Sequence, residues 1–586
     1  MPNATSRRRR LASVAGCLIM LGAAAGVLPG AEAAADARPA AGAVAGPNGI
    51  APVASCASLA GLDVARVETS IASAAEVTRV GHAYCSVTGY ISPQTRFEVL
   101  LPTATWTGDY LQQGCGGFCG HVDLSLTDPS RTSGYQAPFA PLSNGELVVA
   151  ADDQGHEAPN NTDTLWARND PALRVVFGYS SEHSMARTSR ALIRAYYGRD
   201  AAHRYFDGVS DGGHEALALA QRYPDDFDGI IAGAPANNWA ALAGLFEPWL
   251  ARVNLNRNDR QILTAEKLPA LHTAVMRACA DASGVITDPR ACTFRPESLR
   301  CQPGADTVSC LTPAQVAVVR AFYRGPTDSR GRNLFDGGMP YGSELAWQVW
   351  AVQPAADTAA PLDTVAAALG LNYLRNAAFW HNPPVTLGLR DVRFTAAEHR
   401  RLQEVGDIYD ATNPDLRRFA ARGGKLIMWQ GWADTGSTPF GTLTYYDAVV
   451  RYLGQRATDR FLKLYMIPGV YHCGGGPTPA TADYLTPLMT WQEQGLAPNR
   501  IVTSFAASPT DPTITRTRPA FPYPSIAKYT GSGNPNDQAN WVQAPPEHHY
   551  AAHYPWLGDS HYSPRFPLWC RQEGLTMMCR RRAEHG

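Results

Sequence analysis

The sequence has little charge, and most of it lacks long apolar segments. Its 586 residues contain 51 Lys and Arg against 52 Asp and Glu, so the formal net charge is −1. The chain therefore has no overall excess of positive charge of the kind that indicates nucleic-acid binding. Beyond residue 28 no apolar run reaches the roughly 20 residues needed to span a bilayer. We therefore expect neither nucleic acid nor a membrane as a partner.

The N-terminus carries the one long apolar run. Four arginines at residues 7–10 precede the apolar residues 11–28, which close on Ala31-Glu-Ala33. This pattern predicts a secretory signal peptide over residues 1–33, and hence a secreted or extracytoplasmic protein. Cys17 leaves lipoprotein attachment open, and the arginines leave twin-arginine export open.

Cysteine usage agrees with an oxidising compartment. Most of the twelve cysteines form couples at short separation, which favours disulfides. These couples are Cys56 with Cys85, Cys279 with Cys292, Cys301 with Cys310, and Cys570 with Cys579. Of the rest, Cys115, Cys119 and Cys473 cannot all pair with each other. Zinc competes for Cys115 and Cys119, but no second Cys or His pair at ligand spacing accompanies them, so we predict no metal site.

Residues 204–222 read as a short strand, a tight glycine turn and a helix with an apolar face. Gly208, Ser210 and Gly212 give the G-x-S-x-G spacing of a nucleophile elbow, in which small neighbours let a strained turn expose the serine hydroxyl. The following helix points its N-terminus at Ser210. The Asp211 N–H is therefore a candidate oxyanion donor.

A second glycine-rich segment, residues 111–120, follows a predicted core strand. Such a loop can bring backbone N–H groups close to a reacting atom, which makes Gly116 and Gly117 candidates for the second oxyanion donor. An ordinary glycine turn explains the same residues equally well.

A serine nucleophile needs a base and a group that orients the base. In this type of fold the chain order is Ser, acid, His. His472 directly follows a predicted buried strand, whereas the other candidate histidines, His548, His549, His553 and His561, lie in a polar tail. Asp434 follows an apolar strand shortly before His472. A turn or cap role for Asp434 and a loop role for His472 remain the alternatives.

Strand and helix alternate on both sides of the elbow, as in an α/β fold with a parallel sheet. Between these parts the alternation gives way to helical stretches, cysteine-flanked loops and aromatics. The predicted organisation is a disordered linker at 34–52, an α/β-hydrolase core at 53–236 and 416–543, a large inserted lid domain at 237–415, and a C-terminal extension at 544–586.

Several long motifs occur in order and resemble the tannase and feruloyl esterase family, which includes mono(2-hydroxyethyl) terephthalate hydrolases. They are residues 220–235, Gly431-Trp-Ala-Asp434, Tyr471-His-Cys473 and residues 529–533, within a similarity that covers about 55–543. The resemblance implies a secreted serine esterase that cleaves esters of hydroxycinnamic or gallic acids through an acyl-enzyme on Ser210, Asp434 and His472. Another serine hydrolase, lipase or peptidase, and a non-catalytic binder of polyphenols or cell-wall material remain alternatives.

The resemblance also implies that the lid supplies the pocket for an aromatic acyl group. The candidate pocket residues are Phe335, Tyr341, Trp347, Trp350, Phe379 and Trp380.

Two features of the family are altered here. The family usually carries a cysteine just before the nucleophile, bonded to the cysteine after the catalytic histidine. Val209 occupies the first position while Cys473 remains. We therefore expect Cys473 to pair with Cys115 or Cys119, because the glycine loop and the histidine loop should meet at the active site.

The second altered feature is a calcium loop between two lid cysteines. The segment between Cys279 and Cys292 is short and offers only Asp281 and Asp288, whereas calcium takes six to eight oxygen ligands. We expect the family calcium site to be lost and no cofactor to be needed.

Overall fold

The computed structural model describes residues 49–64, 67–131, 135–357, 362–546, 555–573 and 576–581. The predicted signal peptide and most of the predicted linker lie outside these residues.

A nine-stranded mixed sheet forms the centre of the molecule, in the order β1-β2-β3-β5-β4-β6-β7-β8-β9. The strands are β1 (Thr69–Arg79), β2 (His82–Ile91), β3 (Thr95–Pro102), β4 (Asp109–Gln113), β5 (Leu147–Asp152), β6 (His203–Val209), β7 (Gly229–Gly233), β8 (Lys425–Gly431) and β9 (Leu462–Ile467). β5-β4-β6-β7-β8-β9 are parallel, and β1, β2 and β3 add antiparallel neighbours at one side. This arrangement confirms the predicted α/β class.

Helices surround the sheet and fill the long insertion between β7 and β8. They are α1 (Ala140–Ser143), α2 (Pro171–Val175), α3 (Ser181–Tyr197), α4 (Asp211–Arg222), α5 (Trp239–Ala241), α6 (Glu247–Val253), α7 (Leu268–Cys279), α8 (Pro313–Arg324), α9 (Trp347–Trp350), α10 (Val365–Asn376), α11 (Ala396–Tyr409), α12 (Arg417–Ala421), α13 (Pro439–Leu453), α14 (Gln455–Thr458) and α15 (Leu485–Gln494). α5 to α11 lie within the segment predicted as the lid.

Each central strand is buried on both faces because successive side chains point to opposite sides of the sheet. In β8, Leu426 and Met428 join the cluster that contains α3, α4 and α13, whereas Ile427 and Trp429 join the cluster that contains α15. The two apolar layers hold the strand ends in fixed positions. The loops after these strands therefore start from a rigid edge.

Three smaller sheets follow the core. β10 (Ala480–Ala482), β11 (Ile501–Ser508) and β12 (Asp511–Ala520) form one, β13 (Ile526–Tyr529) and β14 (Trp541–Ala544) a second, and β15 (Leu568–Glu573) and β16 (Thr576–Arg581) a third. The last hairpin belongs to the C-terminal extension. That extension contacts both the core and the insertion, since Arg222 Nη1 donates to the Leu568 carbonyl (2.8 Å) and Asn333 Nδ2 to the Pro555 carbonyl (3.0 Å).

The four predicted cysteine couples are all disulfide-bonded. A further disulfide joins Cys115 to Cys119, so the prediction that one of them pairs with Cys473 is wrong. The glycine loop folds back on itself through Gly117 (φ 63°) and Cys119 (φ 54°), which brings the two sulfurs together within one turn. Cys473 is not a free thiol.

Asp410, directly after α11, is a buried carboxyl that should make stability depend on pH. It accepts the Ala240 N–H (3.0 Å), and burial raises its pKa to about 7, with Arg565 opposing the rise. Between about pH 4 and pH 7 the folded protein keeps a proton that the unfolded chain has lost. The free energy of unfolding therefore falls as pH rises through this window.

We expect Asp410→Asn to lose less stability than the wild type between pH 5 and pH 8. Urea unfolding of both proteins at the two pH values checks this. Equal losses in the two proteins would contradict the assignment of this pH dependence to Asp410.

Candidate active site

Ser210 lies at a strained turn between β6 and α4. Its backbone has φ 67° and ψ −114°, a region that side-chain-bearing residues rarely adopt. A Cβ atom on Gly208 would stand 2.4 Å from the Gly212 carbonyl oxygen, and one on Gly213 would stand 2.4 Å from the Gly233 oxygen. Only glycine lets the strand, turn and helix approach this closely, so the spacing seen in the sequence has a direct steric cause.

The structure brings Ser210, His472 and Asp434 into one hydrogen-bonded chain. Ser210 Oγ lies 2.9 Å from His472 Nε2, and His472 Nδ1 lies 3.0 Å from Asp434 Oδ2. The three residues follow β6, β9 and β8, so they meet at the carboxyl edge of the parallel strands. The predicted three residues are therefore neighbours, although 262 positions separate Ser210 from His472.

Of the competing histidines, the structure describes His561 alone. His561 lies in the C-terminal extension, where its ring stacks on His399 at 5.5 Å. His548, His549 and His553 lie outside the described residues.

Asp434 is fully buried and is held by donors that the sequence analysis did not single out. Gln430 Nε2 donates to Oδ2 (2.7 Å), and the Gly436 N–H donates to Oδ1 (2.8 Å). The Thr442 hydroxyl donates to Gln430 Oε1 (2.7 Å), which fixes the orientation of the amide. The sequence does contain a signal for Gln430, because a polar residue near the end of an apolar strand is unusual.

Of the six predicted pocket aromatics, Trp350 is the one whose ring contacts the ring of His472. Its ring meets the imidazole edge-on, with centroids 5.3 Å apart. Its indole Nε1 donates to Glu247 Oε2 (3.2 Å). A Cβ atom on Gly436 would approach both rings to 2.7 Å, so this glycine allows the tryptophan and histidine to pack together.

The other five predicted pocket aromatics make different contacts. Phe335 stacks on Phe246, Tyr341 packs on Tyr323, Trp347 is fully buried beside Phe322, Phe379 lies under the Arg401 guanidinium, and Trp380 is 36% exposed. Four of these rings are used to pack the insertion and one faces solvent. Sequence could not separate them from Trp350, because aromatics in a helical insertion serve its own core as readily as a pocket.

The candidate oxyanion donors come from two segments that touch. The Asp211 N–H belongs to the first residue of α4, where the helix dipole favours negative charge. The Gly212 N–H donates to the Cys115 carbonyl (2.7 Å), so the glycine loop lies against the first turn of this helix. Gly116 is next in the chain, and Gly117 closes the turn so tightly that a Cβ atom would stand 2.4 Å from the Asn161 oxygen.

The two carboxylates of the loop between Cys279 and Cys292 are both paired with protein groups. Asp281 accepts hydrogen bonds from Ser283, Thr287 and Arg518 Nη2 (2.8 Å), and Asp288 forms a bidentate pair with Arg290. Burial alone would raise the pKa of Asp281, but Arg518 and the hydroxyl hydrogen bonds bring it below its ordinary value. The buried Arg518 guanidinium, stacked on the Trp541 ring, thus supplies the positive charge at this loop.

We expect Arg518→Met to lower the free energy of unfolding by about 3 kcal/mol, because it leaves the Asp281 carboxylate without its ion-pair partner. Chelation by EDTA should leave the wild-type melting temperature unchanged. Arg516→Met is the matched control, since Arg516 lies on the same strand, β12, and donates to the Ser283 carbonyl (3.0 Å) rather than to Asp281. Equal stability of Arg518→Met and wild type, or a wild type destabilised by EDTA, would contradict the expectation.

Among the residues that the structure describes, one histidine–carboxylate group has ligand spacing, namely Asp109, His203 and Glu493. It lies where β4 and β6 begin, at the edge of the sheet opposite the triad. His203 Nδ1 is 3.1 Å from Asp109 Oδ1, and this hydrogen bond raises the pKa of His203. Glu493 accepts a hydrogen bond from the Tyr205 hydroxyl (2.7 Å). The three side chains are therefore paired with other protein groups.

No described helix combines the length and the apolar character that crossing a membrane requires.

Comparisons with known proteins show what this chain is similar to. The tannase and feruloyl esterase family matches residues 75–544. An uncharacterized esterase of Xanthomonas campestris is 33% identical over 506 residues, which cover 78% of this chain and 84% of that protein. The mono(2-hydroxyethyl) terephthalate hydrolase of Piscinibacter sakaiensis is 30% identical over 522 residues, covering 79% and 85%. The crystal structure of feruloyl esterase B from Aspergillus oryzae superposes with a TM-score of 0.71 at 22% identity, covering 83% of this chain and 99% of that one. The chain therefore belongs to the tannase and feruloyl esterase family of carboxylic ester hydrolases.

Proposed function

We propose that this protein is a secreted serine esterase that hydrolyses esters of aromatic acids, of the hydroxycinnamic or gallic type, through an acyl-enzyme. The observation that carries the proposal is the unbroken hydrogen-bonded chain from the Ser210 hydroxyl through His472 to the buried Asp434. A serine placed on a strained elbow and paired in this way is the arrangement that acyl transfer needs.

In the first half-reaction, Ser210 Oγ attacks the ester carbonyl while His472 Nε2 takes the hydroxyl proton. The Asp434 carboxylate keeps the Nδ1 proton of His472 in place, so that Nε2 is free to act as the base. The tetrahedral intermediate then collapses. His472 gives its proton to the departing alcohol, and the acyl group stays on Ser210.

In the second half-reaction, water replaces the alcohol. His472 accepts a proton from the water, whose oxygen attacks the acyl carbon. Collapse of this second intermediate releases the acid and returns the proton to Ser210 Oγ. The negative charge on the oxygen of both intermediates is stabilised by hydrogen bonds from the Asp211 N–H and from the glycine loop. In that loop Gly116 and Gly117 are the candidate donors.

The aromatic acyl group is supported by two observations. Feruloyl esterase B and the terephthalate hydrolase, both similar to this chain, carry names that refer to esters of aromatic acids. In this chain, the ring of Trp350 contacts His472, so an aromatic side chain borders the proposed base. The disulfides agree with the predicted signal peptide and support secretion. No step of the proposed reaction requires a cofactor.

A panel of esters tests the proposal. Methyl ferulate, methyl gallate, mono(2-hydroxyethyl) terephthalate, a long-chain fatty-acyl ester and a peptide amide should be compared by kcat/KM. We expect at least one aromatic ester to exceed the fatty-acyl ester and the peptide by orders of magnitude. Preference for the fatty-acyl ester or the peptide would indicate a lipase or a peptidase. Absence of both turnover and fluorophosphonate labelling would indicate a non-catalytic binding protein.

A further inference from the structure

The backbone that leads into Gly116 is held by hydrogen bonds at successive residues. The Gly212 N–H donates to the Cys115 carbonyl (2.7 Å), and the Gly114 N–H donates to the Asp207 carbonyl (2.9 Å). The carbonyl and the N–H of a trans peptide unit point in opposite directions. The bond from Gly212 to the Cys115 oxygen therefore also fixes the direction of the Gly116 N–H.

Glu215 holds the same loop from the side of the nucleophile helix. It lies on α4, one turn after Asp211, and both of its carboxyl oxygens are within reach of the Cys115 N–H (3.1 and 3.3 Å). Its side chain is 3% exposed and reaches directly under Gly114, where a Cβ atom would stand 2.6 Å from Oε2. Burial, together with the negative charge of Asp211, raises the pKa of Glu215 well above its ordinary value.

The Cys115–Cys119 disulfide closes the loop on its other side. Only Gly116, Gly117 and Phe118 lie inside the ring that it forms. Two glycines in sequence would otherwise leave this segment with wide backbone freedom. Phe118 anchors the ring further, since its N–H donates to the Asn161 carbonyl (2.7 Å) and its side chain stacks on Trp239 at 4.9 Å.

We propose that Glu215 and the Cys115–Cys119 disulfide are positioning residues for catalysis: they fix the glycine loop against α4 so that the Gly116 N–H is presented as an oxyanion donor. This inference rests on the proposed function. In the proposed reaction neither group touches the substrate. Both act on the donor N–H through the backbone that carries it.

Three variants separate positioning from general stability. Glu215→Ala removes the acceptor for the Cys115 N–H, whereas Glu215→Gln keeps an acceptor oxygen of the same reach. The Cys115→Ser/Cys119→Ser double variant opens the ring. Asp228→Ala is the matched control for Glu215, because Asp228 accepts the Arg204 N–H (3.0 Å) at the opposite edge of the sheet. Cys301→Ser/Cys310→Ser is the matched control for the disulfide.

The readouts are kcat and KM on the best ester of the panel, the inhibition constant of phenylboronic acid, and hydrogen exchange of the peptide that contains residues 111–120. Phenylboronic acid forms a tetrahedral adduct with a reactive serine and so reports oxyanion stabilisation directly. We expect Glu215→Ala to lower kcat on the order of 10²-fold with little change in KM. The inhibition constant should rise in parallel, and exchange in the loop should become faster.

Glu215→Gln should recover most of the lost activity, and the Cys115→Ser/Cys119→Ser variant should resemble Glu215→Ala. The two controls should change stability without changing the inhibition constant. Unchanged kcat and unchanged loop exchange in Glu215→Ala would overturn the inference, as would losses matched by the controls. If the wild type cleaves no ester, the proposed function fails, and loop exchange in the variants still decides whether Glu215 and the disulfide hold the loop.

Discussion

Ser210→Ala is expected to lower kcat by roughly 10⁵-fold, close to the limit set by oxyanion stabilisation and substrate binding alone. The hydroxyl is the only group of the site that forms the bond to the acyl carbon in the proposed reaction, and nothing replaces it in the variant. Fluorophosphonate labelling should disappear together with turnover. The melting temperature should change little, because the Ser210 hydroxyl contributes one hydrogen bond, to His472.

Ser86→Ala is a suitable control for this substitution. Ser86 has the same 8% exposure as Ser210, and its hydroxyl donates to Glu98 Oε1 (2.7 Å) on the antiparallel side of the sheet. It should retain full activity. Substantial turnover by Ser210→Ala, after exclusion of contaminating wild type, would refute the acyl-enzyme mechanism.

Asp434→Asn is expected to lower kcat by about 10⁴-fold while the fold is retained. Both oxygens of the Asp434 carboxylate accept hydrogen bonds, Oδ2 from Gln430 and His472 and Oδ1 from the Gly436 N–H. An asparagine must turn its NH₂ group toward one of these donors. If it faces His472, the imidazole proton moves to Nε2, and the histidine can no longer accept the proton of Ser210.

Steady-state kinetics with the best ester of the panel measure this loss. Asp459→Asn provides the control, because Asp459 is a solvent-facing aspartate near Lys463 and lies before β9, at the edge of the sheet opposite His472. Activity of Asp434→Asn within tenfold of the wild type would assign Asp434 to a structural role at the loop. The base would then need another orienting group.

The polar support of Asp434 explains why this substitution should act on catalysis more than on stability. Gln430 is fixed by Thr442 and donates also to the Ser437 carbonyl (2.9 Å), so the acid lies in a network that an amide can partly satisfy. Buried polar networks of this kind are rigid when every member is paired. Residues of β8, of the following loop and of α13 all support the Asp434 side chain directly or through Gln430. We therefore expect the geometry of the three residues to be retained.

The cysteines near the site differ from those that the family resemblance led us to expect. Val209, which stands where the family usually has a cysteine, is fully buried and packs in the same apolar cluster as Cys473. On the neighbouring glycine loop, Cys115 and Cys119 are bonded to each other rather than to Cys473.

The elbow, the strand ends and the fold class could be predicted because each is encoded by residues close together in the chain. The glycines around Ser210 satisfy a steric demand within a few residues, and the strands before Asp434 and His472 are visible as apolar runs. The order of the parallel strands then requires these loops to meet at one edge. Four disulfides were predictable for a similar reason, since their partners lie close in sequence.

The contacts that only the tertiary structure decided join distant segments. Whether Cys119 bonds Cys115 or Cys473 depends on how tightly a glycine loop turns, and which aromatic meets His472 depends on how the insertion packs. Arg518 reaches Asp281 across 237 positions, and Glu215 reaches the Cys115 N–H across 100. A sequence specifies local geometry through backbone sterics. Which remote side chains pair is set by the packing of the whole chain. The same residue types could be paired in many other ways, so the sequence pattern alone does not select one.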